Sequence, residues 1–113
     1  MKVQTIEAVK NKKVSFFLPS GEINEEEFGT IEEKLKEKFE AGEFNIIIDL
    51  SRVTHINYKI VGRLIEYQKK FKEYSGDIKL VNVSPYLYNI LRLYGFYPFE
   101  IYPSRRAALK SFQ

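Results

Sequence analysis

The side chains that could perform acid–base chemistry lie close together between Ser51 and Lys59. His55, the only histidine, directly follows Thr54 in a segment that comes after a buried strand. A histidine beside a hydroxyl could act as a general base on a nucleophile. Adjacency in sequence does not establish the required hydrogen bond, however, and a loop histidine half covered by its neighbours is the simpler interpretation. We therefore predict that the chain is not an enzyme.

Metal, thiol and nucleotide chemistry find little support in the sequence. There is no cysteine and only one histidine, so disulfides, thiolate sites and histidine-based metal clusters are excluded. Neither a G-x-x-x-x-G-K-S/T loop nor a G-x-G-x-x-G turn occurs. Asp49 and Glu100 could pair across a sheet, although structural roles at strand ends explain them better. We predict no metal and no cofactor.

The net charge of +3 is unevenly distributed along the chain. Residues 1–56 contain 8 Lys/Arg and 11 Asp/Glu, a balance of −3, whereas residues 57–113 contain 10 and 4, a balance of +6. Such a separation can steer an acidic partner toward the protein, although solvated helix faces explain it equally well. No motif that reads DNA or RNA organises the basic residues, so we predict no nucleic-acid binding.

The apolar segments are too short to cross a membrane. The longest runs, such as Ile46 to Ile48, are far below the roughly 20 residues that a helical span requires. Residues 1–13 carry charges throughout and do not form a secretory signal. We therefore predict a cytoplasmic protein without a membrane partner, and we expect residues 1–113 to form a single domain with one hydrophobic core.

Patterns of apolar residues predict strands and helices in alternation after an initial hairpin. The predicted strands are Val3 to Val9, Val14 to Leu18, Phe44 to Leu50, Ile78 to Val83 and Phe99 to Tyr102. Pro19-Ser20-Gly21 is expected to break the second strand, and Ser51 to Asn57 to form a polar connector. The predicted helices begin at Asn24, Asn57, Ser84 and Ser104, and Gly42, Gly76 and Gly95 follow the first three.

This order, β-β-α-β-α-β-α-β-α, is typical of an α/β fold, because consecutive parallel strands are joined by crossover helices. The nearly continuous apolar run from Phe44 to Leu50 indicates a central strand that is covered on both faces. The hairpin should add an antiparallel strand at one edge. We therefore expect a mixed, mainly parallel sheet of four or five strands with helices around it.

Four segments carry a family resemblance when they are taken together. Gly21-Glu22-Ile23-Asn24 is similar to a G-E-L/I-D turn into a first helix, and Ile46 to Leu64 is similar to a central strand with its following loop and helix. Ile78 to Phe96, which ends in Leu93-Tyr94-Gly95-Phe96, and Arg106-Ala107-Ala108-Leu109 complete the pattern. In this order they resemble the STAS family, the domain of anti-sigma-factor antagonists and related bacterial regulators. The resemblance implies a STAS-like α/β fold and a protein-binding role.

The sequence departs from this family pattern at the position that is normally phosphorylated. In the family, the loop before the second helix typically ends D-S-S/T-G, and an anti-sigma kinase phosphorylates the second hydroxyl residue. By resemblance, Asn57 replaces the aspartate, Tyr58 the first serine and Lys59 the phospho-acceptor. Asn24 likewise replaces the acidic end of G-E-L/I-D. A lysine ammonium cannot accept a phosphoryl group, so we expect no phosphorylation and the loss of the usual switch.

Two functions follow from these residues and from the resemblance. The first is a regulatory module that binds an anti-sigma factor or a related kinase-like protein through Asn24, Thr54, His55, Asn57, Tyr58 and Lys59. The second is a STAS-like sensor that binds a nucleotide or another small anion at the helix N-terminus near Lys59. A cation in a first helical turn opposes the helix dipole by about 0.3–1 kcal/mol. Lys59 is therefore either a solvated lysine or a positive charge that awaits an acidic group.

Overall fold

The predicted alternation of strands and helices is present in the computed structural model, which describes residues 1–8, 12–93 and 99–112. The strands are β1 (Lys2–Ala8), β2 (Lys12–Leu18), β3 (Ser20–Ile23), β4 (Asn45–Asp49), β5 (Arg52–Ile56), β6 (Asp77–Val81) and β7 (Ile101–Tyr102). The helices are α1 (Glu25–Glu40), α2 (Tyr58–Glu73), α3 (Pro85–Arg92) and α4 (Arg105–Ser111). The predicted hairpin residues 9–11 and the predicted helix end at Gly95 lie outside the described residues.

The main sheet has five strands in the order β1-β2-β4-β6-β7. β1 and β2 pair antiparallel, and the other neighbours pair parallel. The predicted mixed sheet with an antiparallel hairpin at one edge is therefore confirmed. β4 lies at the centre, as its apolar run predicts, and Ile46, Ile47 and Ile48 are each at most 1% exposed. The last strand is shorter than predicted and begins at Ile101.

Apolar side chains cover both faces of this sheet. On one face, residues from α1, α2 and α3 pack with the sheet around large buried side chains such as Phe17, Phe28 and Phe71. On the other face, Ala108 of α4 packs with Val14 and Ile47. Each fully buried Phe or Ile side chain stabilises the fold by about 1.5–3 kcal/mol. The sheet is thus a rigid support for the ends of its strands.

Two strands were not predicted, and they form a second sheet of their own. β3 pairs parallel with β5, in the segments where the sequence predicts a break at Pro19-Ser20-Gly21 and a polar connector from Ser51 to Asn57. The prediction was wrong because both strands are short and polar on their outer side. Their inward residues Ile23, Val53 and Ile56 nevertheless join the main core.

The predicted helix starts are confirmed by their capping hydrogen bonds. The Asn24 side-chain oxygen accepts from the amide of Glu27 at 3.0 Å, and the Asn57 oxygen accepts from the amide of Lys59 at 2.8 Å. Ser84 caps α3, and Pro85 occupies its first turn. Each such cap stabilises its helix by about 0.5–2 kcal/mol. These two asparagines therefore have a structural role, whatever else they contact.

The pairing of Asp49 with Glu100 that we considered is not formed. Asp49 instead accepts from Arg105 Nε at 2.7 Å, from Asn82 Nδ2 at 3.2 Å and from the Ser51 amide at 3.0 Å. Burial by itself raises the pKa of Asp49, but these hydrogen bonds outweigh it and lower the pKa below its ordinary value. Glu100 pairs with Lys79 at 3.2 Å. Asp49 thus joins the end of β4 to the end of β6 and to α4.

Candidate functional site

The small β3–β5 sheet brings together the two helix starts that the sequence singles out. Ile23 ends β3 and faces Ile56 at the end of β5. The next residues, Asn24 and Asn57, cap α1 and α2, and the amide of Asn57 donates to the carbonyl of Ile23 at 3.4 Å. Parallel pairing therefore places both helix N-termini side by side. We call the residues Asn24, Thr54, His55, Asn57, Tyr58 and Lys59 the helix-start surface.

A β-bulge shapes the middle of this surface. Gly21 faces Val53 and Glu22 faces His55, so Thr54 is the extra residue on β5. Gly21 has a φ of +75°, a backbone conformation that glycine adopts without strain. Bulges turn side chains away from the regular alternation of a strand. Thr54 is exposed while both of its neighbours on β5 are at least partly covered.

His55 lies on β5, and not in a loop as predicted. Its Nδ1 is 2.5 Å from the hydroxyl oxygen of Tyr86 on α3, and the two ring centroids are 5.6 Å apart. Tyr86 itself is 51% exposed. Among the described residues, neither Ser51 nor Thr54 makes a hydrogen bond to His55. The general-base pair that the sequence could allow is therefore not assembled in this structure.

The charges at the two helix starts are opposite. The first turn of α1 contains Glu25, Glu26 and Glu27, whereas the first turn of α2 contains no acidic residue. Lys59 is exposed there, and its own amide is already bound by Asn57. Tyr58 is also exposed, by 46%. The helix-start surface thus presents a cation and an aromatic ring beside an acidic helix turn.

Sequence reasoning missed the residue that fixes α1 against α2. Arg63 on α2 donates to Glu25 at 2.7 Å and to Glu32 at 3.2 Å, both on α1. Its guanidinium lies 4.8 Å from the centre of the Phe28 ring. Tyr67 donates to Glu32 at 2.7 Å, and this bond is the largest cause of a lowered pKa of Glu32. These partners are distant in sequence, so no local pattern could reveal them.

Burial, and then the bond to Glu32, raise the pKa of Tyr67 far above its ordinary value. The pKa of Arg63 is likewise raised, first by its hydrogen bond to Glu25. All three groups therefore keep their neutral or charged forms over the whole physiological pH range. The contact between α1 and α2 is thus insensitive to pH near neutrality.

Two other kinds of site were searched for among the described residues. None of the described helices combines the length and apolar character needed to cross a bilayer. Within the same residues, no group of three or more His, Cys, Asp or Glu side chains is placed to hold a metal ion. The helix-start surface remains the place where the predicted binding residues converge.

The five-stranded sheet, its antiparallel edge and the two helices that begin side by side define a STAS-like α/β protein. The profile of the STAS domain matches residues 5–108, and the chain belongs to this family. A search of curated proteins finds no significant relative.

Solved structures of similar fold include several anti-sigma factor antagonists. The Thermotoga maritima protein TM1081 is 21% identical with a TM-score of 0.77, over 86% of this chain and 79% of that protein. An anti-sigma factor antagonist from Mycobacterium paratuberculosis is 22% identical with a TM-score of 0.73, over 97% and 93%. The Bacillus anti-sigma factor antagonist SpoIIAA, in its unphosphorylated form, is 18% identical with a TM-score of 0.69, over 98% and 97%. At these identities the likeness is one of fold.

Proposed function

We propose that this STAS domain is a cytoplasmic regulatory module that acts by binding a protein, as anti-sigma factor antagonists do. The expected partner is an anti-sigma factor or a related kinase-like protein, and residues 1–113 act as one domain. The observation that carries the proposal is the β3–β5 pairing, because it joins Asn24 and Asn57 into one exposed surface. The resemblance to the family implies that partner binding occurs at these positions.

We further propose that the usual phospho-switch is missing. Lys59 occupies the position that resembles the phospho-acceptor, and its ammonium cannot be phosphorylated as a serine hydroxyl is. SpoIIAA, in contrast, is known in unphosphorylated and phosphorylated forms. A lysine keeps this position positive at all physiological pH values. Regulation of this chain would therefore depend on the supply of the partner or on another site.

The same residues support a role without catalysis. The Nδ1 atom of His55 is taken up by Tyr86, and the hydroxyls of Ser51 and Thr54 are not joined to its ring. A nucleophile without an oriented base is only weakly activated. We expect no hydrolysis of phosphate or carboxyl esters by the purified protein, and no activity that a His55→Ala variant loses. An esterase or phosphatase activity that disappears in this variant would contradict the proposal.

Binding to a purified kinase-like anti-sigma factor, measured by calorimetry, tests the proposed function. Lys59→Glu should weaken the complex about tenfold, because an acidic partner group would then face a like charge. The control is Lys69→Glu, an equal charge change at an exposed position near the other end of α2. It should leave the affinity within about twofold. Wild-type affinity of Lys59→Glu would show that the helix-start surface is not the interface.

The stability of the variant separates a binding effect from unfolding. A glutamate in the first turn of α2 suits the helix dipole, so Lys59→Glu should unfold at the same or a slightly higher urea concentration, by about 0.3–1 kcal/mol. A loss of binding in a variant that is as stable as the wild type then reports on the interface. A loss of both would withdraw the support that this experiment gives.

A second candidate function is the binding of a nucleotide or another small anion near Lys59. It is favoured by one observation, the exposed cation in an α2 first turn that has no acidic residue. It is opposed by the Asn57 cap, which already accepts from the Lys59 amide. Thermal unfolding with ATP, GTP and inorganic phosphate distinguishes the two candidates. A rise in melting temperature that Lys59→Gln abolishes would favour the sensor.

A further inference from the structure

Helix α3 exposes an unusual amount of apolar surface for its length. Among the described residues, the exposed large hydrophobic side chains are Met1, Tyr58, Tyr74, Tyr86, Tyr88 and Leu93. Three of these six lie on α3 or at its C-cap, where Tyr86 is 51% and Leu93 is 65% exposed. Single exposed apolar residues are ordinary, but clusters of them mark interaction sites.

Two of these residues lie on one side of α3. Tyr86, Ile90 and Leu93 are spaced four and three positions apart, which aligns them along one stripe of a helix. Leu87 and Leu91 point into the core instead, and Ile90 is only half-buried. We call Tyr86, Ile90 and Leu93 the α3 stripe. Its first residue contacts His55, so the stripe continues from the helix-start surface.

The charges around this surface are of one sign. The sequence contains no Asp or Glu between Asp49 and Glu66, and none between Asp77 and Glu100. The exposed charged residues of these two segments that have no printed ion pair are Arg52, Lys59 and Arg92. Glu22, which faces His55 across the β3–β5 pair, is the neighbouring acidic residue. An acidic partner therefore meets attraction over most of this area.

We propose that the α3 stripe is the second part of the partner-binding surface and that it receives an acidic, amphipathic helix of a protein partner. Apolar side chains of that helix would pack on Tyr86 and Leu93, and its carboxylates would face Lys59 and Arg92. A second copy of this chain fits poorly, because its own stripe has the same positive surroundings. The inference rests on the proposed function and names the chemistry of the partner's contact.

Two synthetic peptides provide the direct test. One is a helix of Leu, Ala and Glu, with leucines at the spacing of the stripe and glutamates beside them; the other has Lys in place of every Glu. Titration of the isotope-labelled protein, followed by amide chemical shifts, should show the acidic peptide shifting His55, Tyr86 and Leu93. The Lys peptide should shift none of them. Equal binding of both peptides would overturn the proposal.

Variants assign the effect to the stripe. Leu93→Ser and Tyr86→Ser should each weaken the acidic peptide about tenfold, because apolar contacts at the centre of an interface dominate affinity. The control is Tyr74→Ser, which removes an equally exposed ring, 54% exposed, in the turn after α2. It should bind as the wild type does. Wild-type affinity of both stripe variants would contradict the inference, and far-ultraviolet circular dichroism checks that they are folded.

The kinase-like regulator separates this inference from the proposed function. If the regulator binds through Lys59 but tolerates Leu93→Ser and Tyr86→Ser, the stripe is not part of the interface and the proposed function stands. If no regulator binds while the acidic peptide still requires the stripe, the proposed function fails and the docking site stands. Tighter binding of anionic phospholipid vesicles or of single-stranded oligonucleotides than of the acidic peptide would overturn the assignment to a protein partner.

Discussion

Lys59 gives the molecule a permanent positive charge where the family pattern has a reversible negative one. Incubation with an anti-sigma kinase and ATP should therefore leave residues 54–59 without phosphate. Thr54 and Tyr58 carry the hydroxyls of this segment. Thr54 sits on the bulge of β5, before the position that resembles the acceptor, and a serine-directed active site fits a tyrosine poorly. Peptide mass spectrometry measures the outcome.

The matching gain-of-function variant is Lys59→Ser. It should be phosphorylated only partly, because Asn57 still replaces the aspartate of the family pattern. Stoichiometric phosphate on Thr54 or Tyr58 of the wild-type chain would show that the switch has moved and has not been lost.

Asp77 is the residue whose charge opposes folding. It is 7% exposed, and its carboxylate accepts from Gln68 at 3.1 Å and from the Ile78 amide at 2.8 Å. Burial raises the pKa of Asp77, and the lowering effects of Lys72, the Ile78 amide and Gln68 do not cancel it. A folded-state pKa above the unfolded one means that the contribution to stability is fully present below the unfolded pKa. It is lost as pH rises through the folded pKa.

Asp77→Asn should therefore be more stable than the wild type at pH 7, since asparagine keeps an oxygen acceptor without the buried charge. The difference should vanish below about pH 4, where the wild-type carboxyl is protonated. Asp49→Asn is the matched control with the opposite sign. The pKa of Asp49 is lowered, so its stabilisation is present at neutral pH and is lost as pH falls through the folded pKa. Urea denaturation across the pH range measures both, and equal pH dependence in the two variants would contradict the assignment.

At the scale of elements, two glycines in or next to helices have opposite requirements. Gly29 lies within α1, and a Cβ there would meet no atom within 4 Å. Gly29→Ala should raise the free energy of unfolding by about 0.5–1 kcal/mol, because alanine loses less backbone entropy on folding. Gly76 lies between α2 and β6, where a Cβ would overlap the backbone of Phe44. Gly76→Ala should be strongly destabilising.

Urea denaturation of both alanine variants tests this contrast. Destabilisation by Gly29→Ala would mean that α1 is under a constraint that its open surface does not reveal, and tolerance of Gly76→Ala would require β6 to shift away from Phe44.

The sequence predicted most elements because apolar periodicity and capping residues are local signals. The central strand β4 and the helix starts at Asn24 and Asn57 follow from such signals. β3 and β5 do not, because Gly21 and the polar residues of β5 suggest a turn and a connector. Their strand conformation depends on pairing with each other. The predicted site residues on β5 and α2 are local neighbours, but their proximity to Asn24 results from this pairing alone.

The partners of Arg63 and Asp49 escaped prediction for a related reason. Arg63 reaches Glu25 and Glu32 on another helix, and Asp49 reaches Arg105 on α4. Pairs of this kind form only after the chain has folded, and charges of either sign are common on helix surfaces. Sequence spacing therefore gives no indication of which charges meet.

At the scale of the whole molecule, the positive C-terminal half should govern how fast a partner arrives. Residues 57–113 have a balance of +6, and the α3 stripe lies within this half. Attraction between exposed charges is screened over a Debye length of about 10 Å at 0.1 M salt. The association rate with an acidic partner should therefore fall as salt is raised, while the dissociation rate changes little. Stopped-flow fluorescence measures both rates.

A matched pair of variants checks the origin of this salt effect. Arg92→Gln should reduce the salt dependence of association, because Arg92 is exposed beside the stripe. Lys12→Gln, at the start of β2, removes the same charge from the other half of the chain and should have a smaller effect. Equal effects of the two variants would mean that net charge, and not its position, steers the encounter.

The pairing of β3 with β5 has a consequence for the order in which the protein matures. Its register joins Ser20 to Arg52, across the whole of α1 and β4. Contacts between such distant segments form late, because a long loop must close before they are made. A nascent chain that has left the ribosome only as far as β4 would carry Asn24 without Asn57 beside it. A partner that recognises both helix starts would thus ignore unfinished copies and engage only molecules whose folding is complete.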